Sequence, residues 1–194
     1  MVDGEIDEPL RAAMRAVLRE HGWSRTTTER LAAAAGLSRV TLHRRGVRRE
    51  ALLEALANEA ERACRDALWP SLVADAPAAT RLEQALEALC DATEAHLDVL
   101  LALQDAARDA LFHADRPGEV ETRDAFVAPL ARLLRDGALD GTLRSGRDPE
   151  EQAMVLFNAL AATYLHLRSG HRWSPERARR GTIALLLDGL RPSS

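Results

Sequence analysis

The sequence predicts an all-α protein of about nine helices, with a three-helix module at the front and a larger helical body behind it. Hydrophobic residues make up 46% of the 194 residues and aromatic residues only 4%, so the apolar content is mostly Ala and Leu, which favour helices. Segments with the alternating pattern of strands are missing. We predict that the three-helix module spans residues 1–53 and that the helical body spans residues 54–194.

Charge is unevenly distributed along the chain. Residues 1–8 contain four acids and no base, residues 9–53 contain ten Arg and three Glu, and residues 54–194 carry a net charge of -7. A basic module within an acidic protein indicates one end that binds a polyanion. All 26 basic residues are Arg, however, and a biased genome composition would also explain this.

The basic module contains three short predicted helices. The first spans about Pro9 to His21 with an apolar stripe, and Gly22 ends it. The second begins at Thr26 or Thr27, since Thr26 and Glu29 have capping-box spacing, and it ends at Gly36 in a left-handed conformation. Ser38 caps the third, which runs from Arg39 to about Arg45 and is broken by Gly46.

The remaining helices are longer. A fourth runs from about Arg49 to Leu68 and ends at Pro70, and Pro149 and Pro175 follow capping residues at two later helix starts. The helices predicted for the body beyond it cover roughly residues 78–94, 96–112, 120–136, 149–168 and 174–190.

The third helix has the chemistry of a helix that reads DNA bases. With Leu42 facing inward, Val40 and Arg44 point directly away from the core. Arginine forks suit guanine edges and methyl groups suit thymine, while hydroxyls and charges at helix ends suit phosphates. The predicted DNA contacts are Thr27, Thr28, Ser38, Arg39, Val40, Thr41, His43, Arg44, Arg45 and Arg49. The alternatives are a purely structural helical hairpin and a solvated run of arginines.

This stretch resembles the N-terminal signature of the TetR family of bacterial regulators. The matching segments, in order and without a gap, are Thr27…Leu31-Ala32, Ala35-Gly36-Leu37-Ser38, Thr41-Leu42 and Arg49…Leu52-Leu53. Three positions depart from the family pattern: His43 stands for Tyr, Arg45 for His and Gly46 for Phe. The resemblance implies that the phosphate contact usually made by Tyr is changed at His43. It also implies that the buried Phe side chain at the end of the third helix is absent at Gly46.

The resemblance also implies a homodimer that binds an operator in double-stranded DNA and a body that binds a small-molecule effector. Effector binding would move the fourth helix and change the spacing of the two DNA-reading modules. Candidate effector contacts are Trp69, Cys90, His96, Gln104, Phe112 and Phe126, although each is also compatible with ordinary core or surface.

The end of the chain favours a dimer interface. Residues 153–167 are apolar nearly all the way round, so a helix there needs two buried surfaces. The predicted interface residues are Leu156, Leu160, Tyr164, Ile183, Leu186, Leu187 and Leu190. The alternative is that these side chains close the core of a single chain.

Several classes of function lack support in the sequence. Cys64 and Cys90 have no metal-ligand spacing and are expected to be buried thiols, with redox sensing as the alternative. We expect no metal, no cofactor, no catalysis, no signal peptide and no membrane helix, and therefore a cytoplasmic protein.

The predicted function is a ligand-responsive transcriptional repressor that is released from a palindromic operator. The alternative is a helical interaction or scaffold protein with an impaired helix-turn-helix.

Overall fold

The computed structural model describes residues 6–110, 126–144 and 148–192, and within these ranges it contains helices and no strands. This confirms the all-α prediction. A short 3-10 helix covers Trp23–Arg25. In chain order the α-helices are α1 Glu8–His21, α2 Thr28–Ala34, α3 Arg39–Arg44, α4 Arg49–Val73, α5 Ala78–Ala95, α6 Leu97–Ala110, α7 Ala128–Leu139, α8 Pro149–Ser169 and α9 Pro175–Asp188.

Side-chain caps define several helix starts as the sequence predicts. Ser38 accepts a hydrogen bond from the Thr41 amide at 3.0 Å, and Asp148 accepts one from the Glu150 amide at 3.1 Å. The start of α2 differs from the predicted capping box. Thr27 is the cap, because its hydroxyl accepts from the Arg30 amide, whereas the buried Thr26 donates its hydroxyl to the Gly22 carbonyl at 2.9 Å.

Two helix ends differ from the prediction. Helix α4 continues through Pro70 to Val73, because Leu68 is buried in the core and Leu72 packs against it, so packing offsets the backbone bond that proline removes. Helix α7 continues past residue 136 through Gly137 to Leu139. A Cβ atom on Gly137 would lie 2.4 Å from the Leu143 side chain, so this glycine permits a close approach.

The chain divides into two compact units. The N-terminal unit contains the chain up to Arg62 together with α6, and the C-terminal unit contains the described residues from Ala63 to Ala95 and those after α6. Helix α4 therefore begins in one unit and ends in the other. The sequence-based boundary at Leu53 stays a prediction about which residues bind DNA.

The N-terminal unit has its own apolar core. Helices α1, α2 and α3 contribute buried side chains that include Met14, Leu31 and Leu42. The start of α4 adds Leu52 and Leu56, and α6 adds Val99 and Ala102. Helix α6 packs against α1 and the 3-10 turn, so a segment distant in the sequence completes the core beneath the helix-turn-helix.

The C-terminal unit is built around α5, α7, α8 and α9, which pack against one another. The Tyr164 hydroxyl donates to Glu94 at 3.0 Å, and Arg168 donates two hydrogen bonds to the same carboxylate at 2.7 and 2.6 Å. These bonds satisfy a buried phenol and join the end of α5 to α8. Hydrogen bonding by Arg168, the largest effect, and by Tyr164 lowers the pKa of Glu94.

The side chains predicted to form a dimer interface are mostly buried within this single chain. Six of them belong to the core of the C-terminal unit, and the seventh, Leu186, packs against that core. The six core members are Leu156, Leu160, Tyr164, Ile183, Leu187 and Leu190. The same helices expose Val155 and Leu185 instead, so an interface on α8 and α9 would use these neighbouring positions.

Candidate nucleic-acid interface

Helices α2 and α3 pack together and are joined by a tight turn. The turn depends on Gly36, whose φ of +66° lies in the left-handed region where a side chain is strained. The Leu37 amide then bonds back to the Ala32 carbonyl at 2.8 Å, which closes the end of α2. Ser38 begins α3 directly afterwards, so the start of α3 is fixed relative to the end of α2.

Helix α3, which we call the reading helix, separates an apolar face from a polar one. Leu42 is 1% exposed and belongs to the N-terminal core, whereas Val40 is 76% exposed. Arg39, His43, Arg44 and Arg45 are also exposed. The helix therefore faces as its spacing predicts, and it presents forked N–H donors, an imidazole and a methyl-bearing side chain to solvent.

The smaller polar residues lie at helix starts. Thr27 caps α2, and Thr28 is exposed in its first turn. Ser38 caps α3, and its hydroxyl lies 2.8 Å from that of the half-buried Thr41. Helix N-termini favour anions through their amides and dipole, and for this reason these residues are candidates for phosphate contacts.

Each end of the reading helix carries an arginine paired with a carboxylate. Arg39 Nη2 lies 2.9 Å from Glu29 Oε1, and Arg45 Nη1 lies 3.0 Å from Asp7 Oδ2. The pKa of Glu29 is lowered by its backbone hydrogen bond first, then by Thr27 and Arg39. The exposed surface is thus less basic than its arginine content indicates.

Arg49 has contacts that tie the start of α4 to the 3-10 turn. Its guanidinium lies 4.5 Å from the centre of the buried Trp23 ring and donates to the Thr26 carbonyl at 2.9 Å. It also donates to Glu50 at 2.7 Å. Arg49 therefore has a structural role within this unit, beside the predicted phosphate contact.

The end of the reading helix is closed by backbone geometry. Gly46 has a φ of +67°, and its amide bonds to the His43 carbonyl at 2.9 Å. Val47 then packs against the N-terminal core. The turn and Val47 fix this end of α3 although Gly46 has no side chain to bury.

A cluster of ion pairs beneath the helix-turn-helix was missed by the sequence analysis. Arg15 on α1 lies 2.9 Å from Glu59 and 3.4 Å from Asp98, and Arg19 lies 3.1 Å from Asp98. Arg15 also contacts His96 Nδ1 at 3.0 Å. Burial, followed by the charge of Arg15, lowers the pKa of His96. Arg15 and Arg19 are four residues apart and so lie on one face of the helix. This spacing could have predicted that they share an acidic partner.

Those candidate effector contacts that the structure describes lie in separate places and do not line a common site. Trp69 and Gln104 are exposed, while Cys90 and Phe126 lie in the C-terminal core, where Phe126 stacks on Phe157 at 4.8 Å. His96 belongs to the ion-pair cluster of the N-terminal unit. Phe112 lies outside the described residues.

The two cysteines are buried thiols in the C-terminal core. Burial, with a smaller effect of Asp91, raises the pKa of Cys90 to about 12, which makes it a poor nucleophile at neutral pH. In the described part of the chain, no group of three His, Cys, Asp or Glu side chains is arranged to hold a metal ion. None of the described helices is both long and apolar enough to cross a membrane.

Comparison with protein families matches residues 10–56 to the family described as "Bacterial regulatory proteins, tetR family". The matched segment begins in α1 and ends in α4, so it includes the whole helix-turn-helix described above. No curated protein matches the sequence significantly.

Solved structures resemble the chain over nearly its whole length. PfmR, a TetR-family regulator from Thermus thermophilus, is 22% identical with a TM-score of 0.70, covering 96% of this chain and 100% of that one. The ketosteroid regulator KstR2 of Mycobacterium tuberculosis is 19% identical with a TM-score of 0.71, covering 100% of both chains.

A third similar structure is SmeT, described as the repressor of the multidrug efflux pump SmeDEF of Stenotrophomonas maltophilia. It is 18% identical with a TM-score of 0.67, covering 100% of this chain and 94% of that one. At these identities the likeness shows the fold. Residues 10–56 therefore form a TetR-family helix-turn-helix domain, and the chain as a whole has the fold of the TetR-family transcriptional regulators.

Proposed function

We propose that the chain is a ligand-responsive transcriptional repressor that acts in the cytoplasm, binds a palindromic operator as a homodimer and releases it when a small molecule binds. The observation that carries this proposal is the division of the reading helix into two faces. Leu42 fixes it to the core, while Val40, His43 and Arg44 face outward. A helix anchored in this way can enter a major groove without losing its position.

The contacts within the N-terminal unit support a rigid DNA-binding module. Helix α6 and the cluster around Arg15 hold α1, and Arg49 joins α4 to the 3-10 turn. A fixed scaffold lets a few side chains discriminate between bases, because binding then orders little else.

The homodimer is supported by the exposed apolar side chains of α8 and α9. Val155 and Leu185 border a groove of about 310 Å³, which is also lined by Leu156, Leu186 and Leu190 and by Arg144, Gln152 and Gly189. Exposed apolar surface of this kind is commonly covered by a partner. A second copy would place two reading helices on one DNA duplex, as a palindromic operator requires.

The small-molecule effector is supported by fold similarity. One structure with this fold, at 18% identity and a TM-score of 0.63, is a complex of SmeT with triclosan. An effector would favour a state in which the spacing of the reading helices no longer fits the operator, and the coupling would act in both directions.

Binding to the DNA upstream of its own gene, measured over a salt series, tests the proposal. A repressor of this kind protects a palindromic site, and its affinity falls steeply as salt rises because phosphate contacts release counterions. Flat salt dependence, or equal affinity for a scrambled duplex, would favour a helical interaction or scaffold protein with an impaired helix-turn-helix.

A further inference from the structure

The geometry points to Asp7 as an internal competitor for DNA phosphate, which holds Arg45 at the end of the reading helix and lowers the affinity of the free protein for DNA. This inference rests on the proposed DNA-binding function. It assigns to an acidic residue before α1 a role in setting how tightly the module binds.

The two oxygens of the Asp7 carboxylate have separate partners. Oδ1 accepts a hydrogen bond from the Leu10 amide at 3.1 Å and so caps α1. Oδ2 accepts from Arg45 Nη1 at 3.0 Å. Because the cap already fixes the carboxylate, forming the ion pair costs mainly the rotamer freedom of Arg45.

The backbone of Arg45 is fixed as well. Its amide bonds to the Thr41 carbonyl at 3.1 Å, and the left-handed turn at Gly46 follows directly. The guanidinium therefore projects from a defined point at the end of α3. The ion pair links the start of α1 to that point although the two residues are far apart in the sequence.

A carboxylate and a DNA phosphate use the same donors of a guanidinium. Asp7 occupies Nη1 of Arg45 and places a negative charge beside the position that a phosphate would take, so the two anions compete and repel each other. The side chains of Arg45 and Asp7 are 41% and 40% exposed, which leaves the pair accessible to DNA.

The other arginines of the reading helix have different surroundings from Arg45. The pair of Arg39 and Glu29 is more exposed, at 68% and 52%, so solvent screens it more strongly. Arg44 precedes Arg45 directly, is exposed, and forms no ion pair within the described part of the chain. Asp7 thus pairs with Arg45 at the end of the helix and leaves the neighbouring Arg44 available to bind DNA.

The substitution Asp7→Asn tests the inference without removing the cap, because Asn and Asp cap helices about equally well. We expect the variant to bind a random-sequence duplex about two- to fivefold more tightly at low salt, as expected for the loss of an exposed ion pair that opposes binding. The upstream duplex should show the same gain, because phosphate contacts are independent of sequence. The difference should shrink as salt rises.

Two controls separate competition from general repulsion. Glu8→Gln removes the same charge from the adjacent residue, which pairs with Arg11 rather than Arg45, and should change affinity much less. In an Arg45→Ala background, Asp7→Asn should give no further gain. Circular dichroism and thermal melting establish that each variant is folded, and Asp7→Ser provides a second variant that keeps a capping side chain.

The other outcomes overturn the inference in distinguishable ways. An equal gain in the Arg45→Ala background means that Asp7 repels DNA in general, and weaker binding by Asp7→Asn means that it positions Arg45 for contact. If the wild type binds DNA and Asp7→Asn binds it with the same affinity, only the role of Asp7 is refuted. If the wild type binds no duplex even at low salt, the proposed function is refuted, and this inference with it.

Discussion

Arg44 lies on the outward face of the reading helix, two residues beyond the buried Leu42. In the proposed complex with DNA, its guanidinium would meet base edges. We predict that Arg44→Ala weakens binding to the operator by about 1–3 kcal/mol, because a bidentate contact to guanine contributes about this much. Binding to a random-sequence duplex should fall much less. Titration of both duplexes with the same protein preparation measures the ratio.

The half-buried Arg11 on α1, which pairs with Glu8, is a matched control for Arg44, because Arg11→Ala removes one positive charge away from the reading helix. It should leave the ratio of the two affinities unchanged. Equal losses on both duplexes for Arg44→Ala would show that this side chain contacts phosphate rather than bases.

His96 gives the N-terminal unit a specific dependence on pH. Burial and then Arg15 lower its pKa from the ordinary 6.5, while Glu59 and Asp98 oppose the shift. Below pH 6.5 the unfolded chain takes up the proton before the folded chain, so this residue's contribution to the free energy of unfolding falls as pH falls. At higher pH the contribution is fully present. Urea denaturation of wild type and His96→Gln as a function of pH measures it.

The variant His96→Gln is a suitable comparison because its amide oxygen still accepts from Arg15, and it does not titrate. We expect its unfolding free energy to fall less than that of the wild type as pH drops below 6.5. Parallel curves for the two proteins would show that His96 is not responsible.

At the scale of elements, the reading helix depends on one inward side chain. We predict that Leu42→Ala lowers the free energy of unfolding by about 2–5 kcal/mol, because it leaves a cavity in the N-terminal core. Val40→Ala, on the exposed face, should change it by less than about 0.5 kcal/mol. Chemical denaturation of both variants measures the contrast, and similar effects would contradict the assigned facing of α3.

Helix starts and turns were predictable because they depend on neighbouring residues. Ser38, Asp148 and Ser174 cap helices through their own side chains, Gly36 has the predicted left-handed conformation, and Gly46 ends α3 as predicted. The outward face of α3 followed in the same way from helical periodicity around a single apolar residue.

Contacts between distant segments were not predictable in this way. The packing of Val99 under the helix-turn-helix, and the pair of Asp7 with Arg45, join residues whose proximity only the tertiary fold determines. The continuation of α4 through Pro70 has the same cause, since core packing of Leu68 overrides a local signal that normally ends a helix.

At the scale of the whole molecule, the proposed dimer makes a prediction about the exposed apolar face of α8 and α9. The double variant Val155→Glu and Leu185→Glu should sediment as a monomer while keeping its helical content, because charges there oppose a dry interface. Leu139→Glu alters an exposed leucine on α7 and should remain dimeric. A wild type that sediments as a monomer would contradict the proposed dimer.

The central claim is that two reading helices recognise an inverted repeat in DNA. Selection of binding sites from a pool of random-sequence duplexes tests it most directly. The account predicts enrichment of two inverted half-sites whose centres lie about one helical turn, roughly 34–36 Å, or a multiple of it apart. Recovery of no common sequence, or of sites with no inverted symmetry, would contradict it.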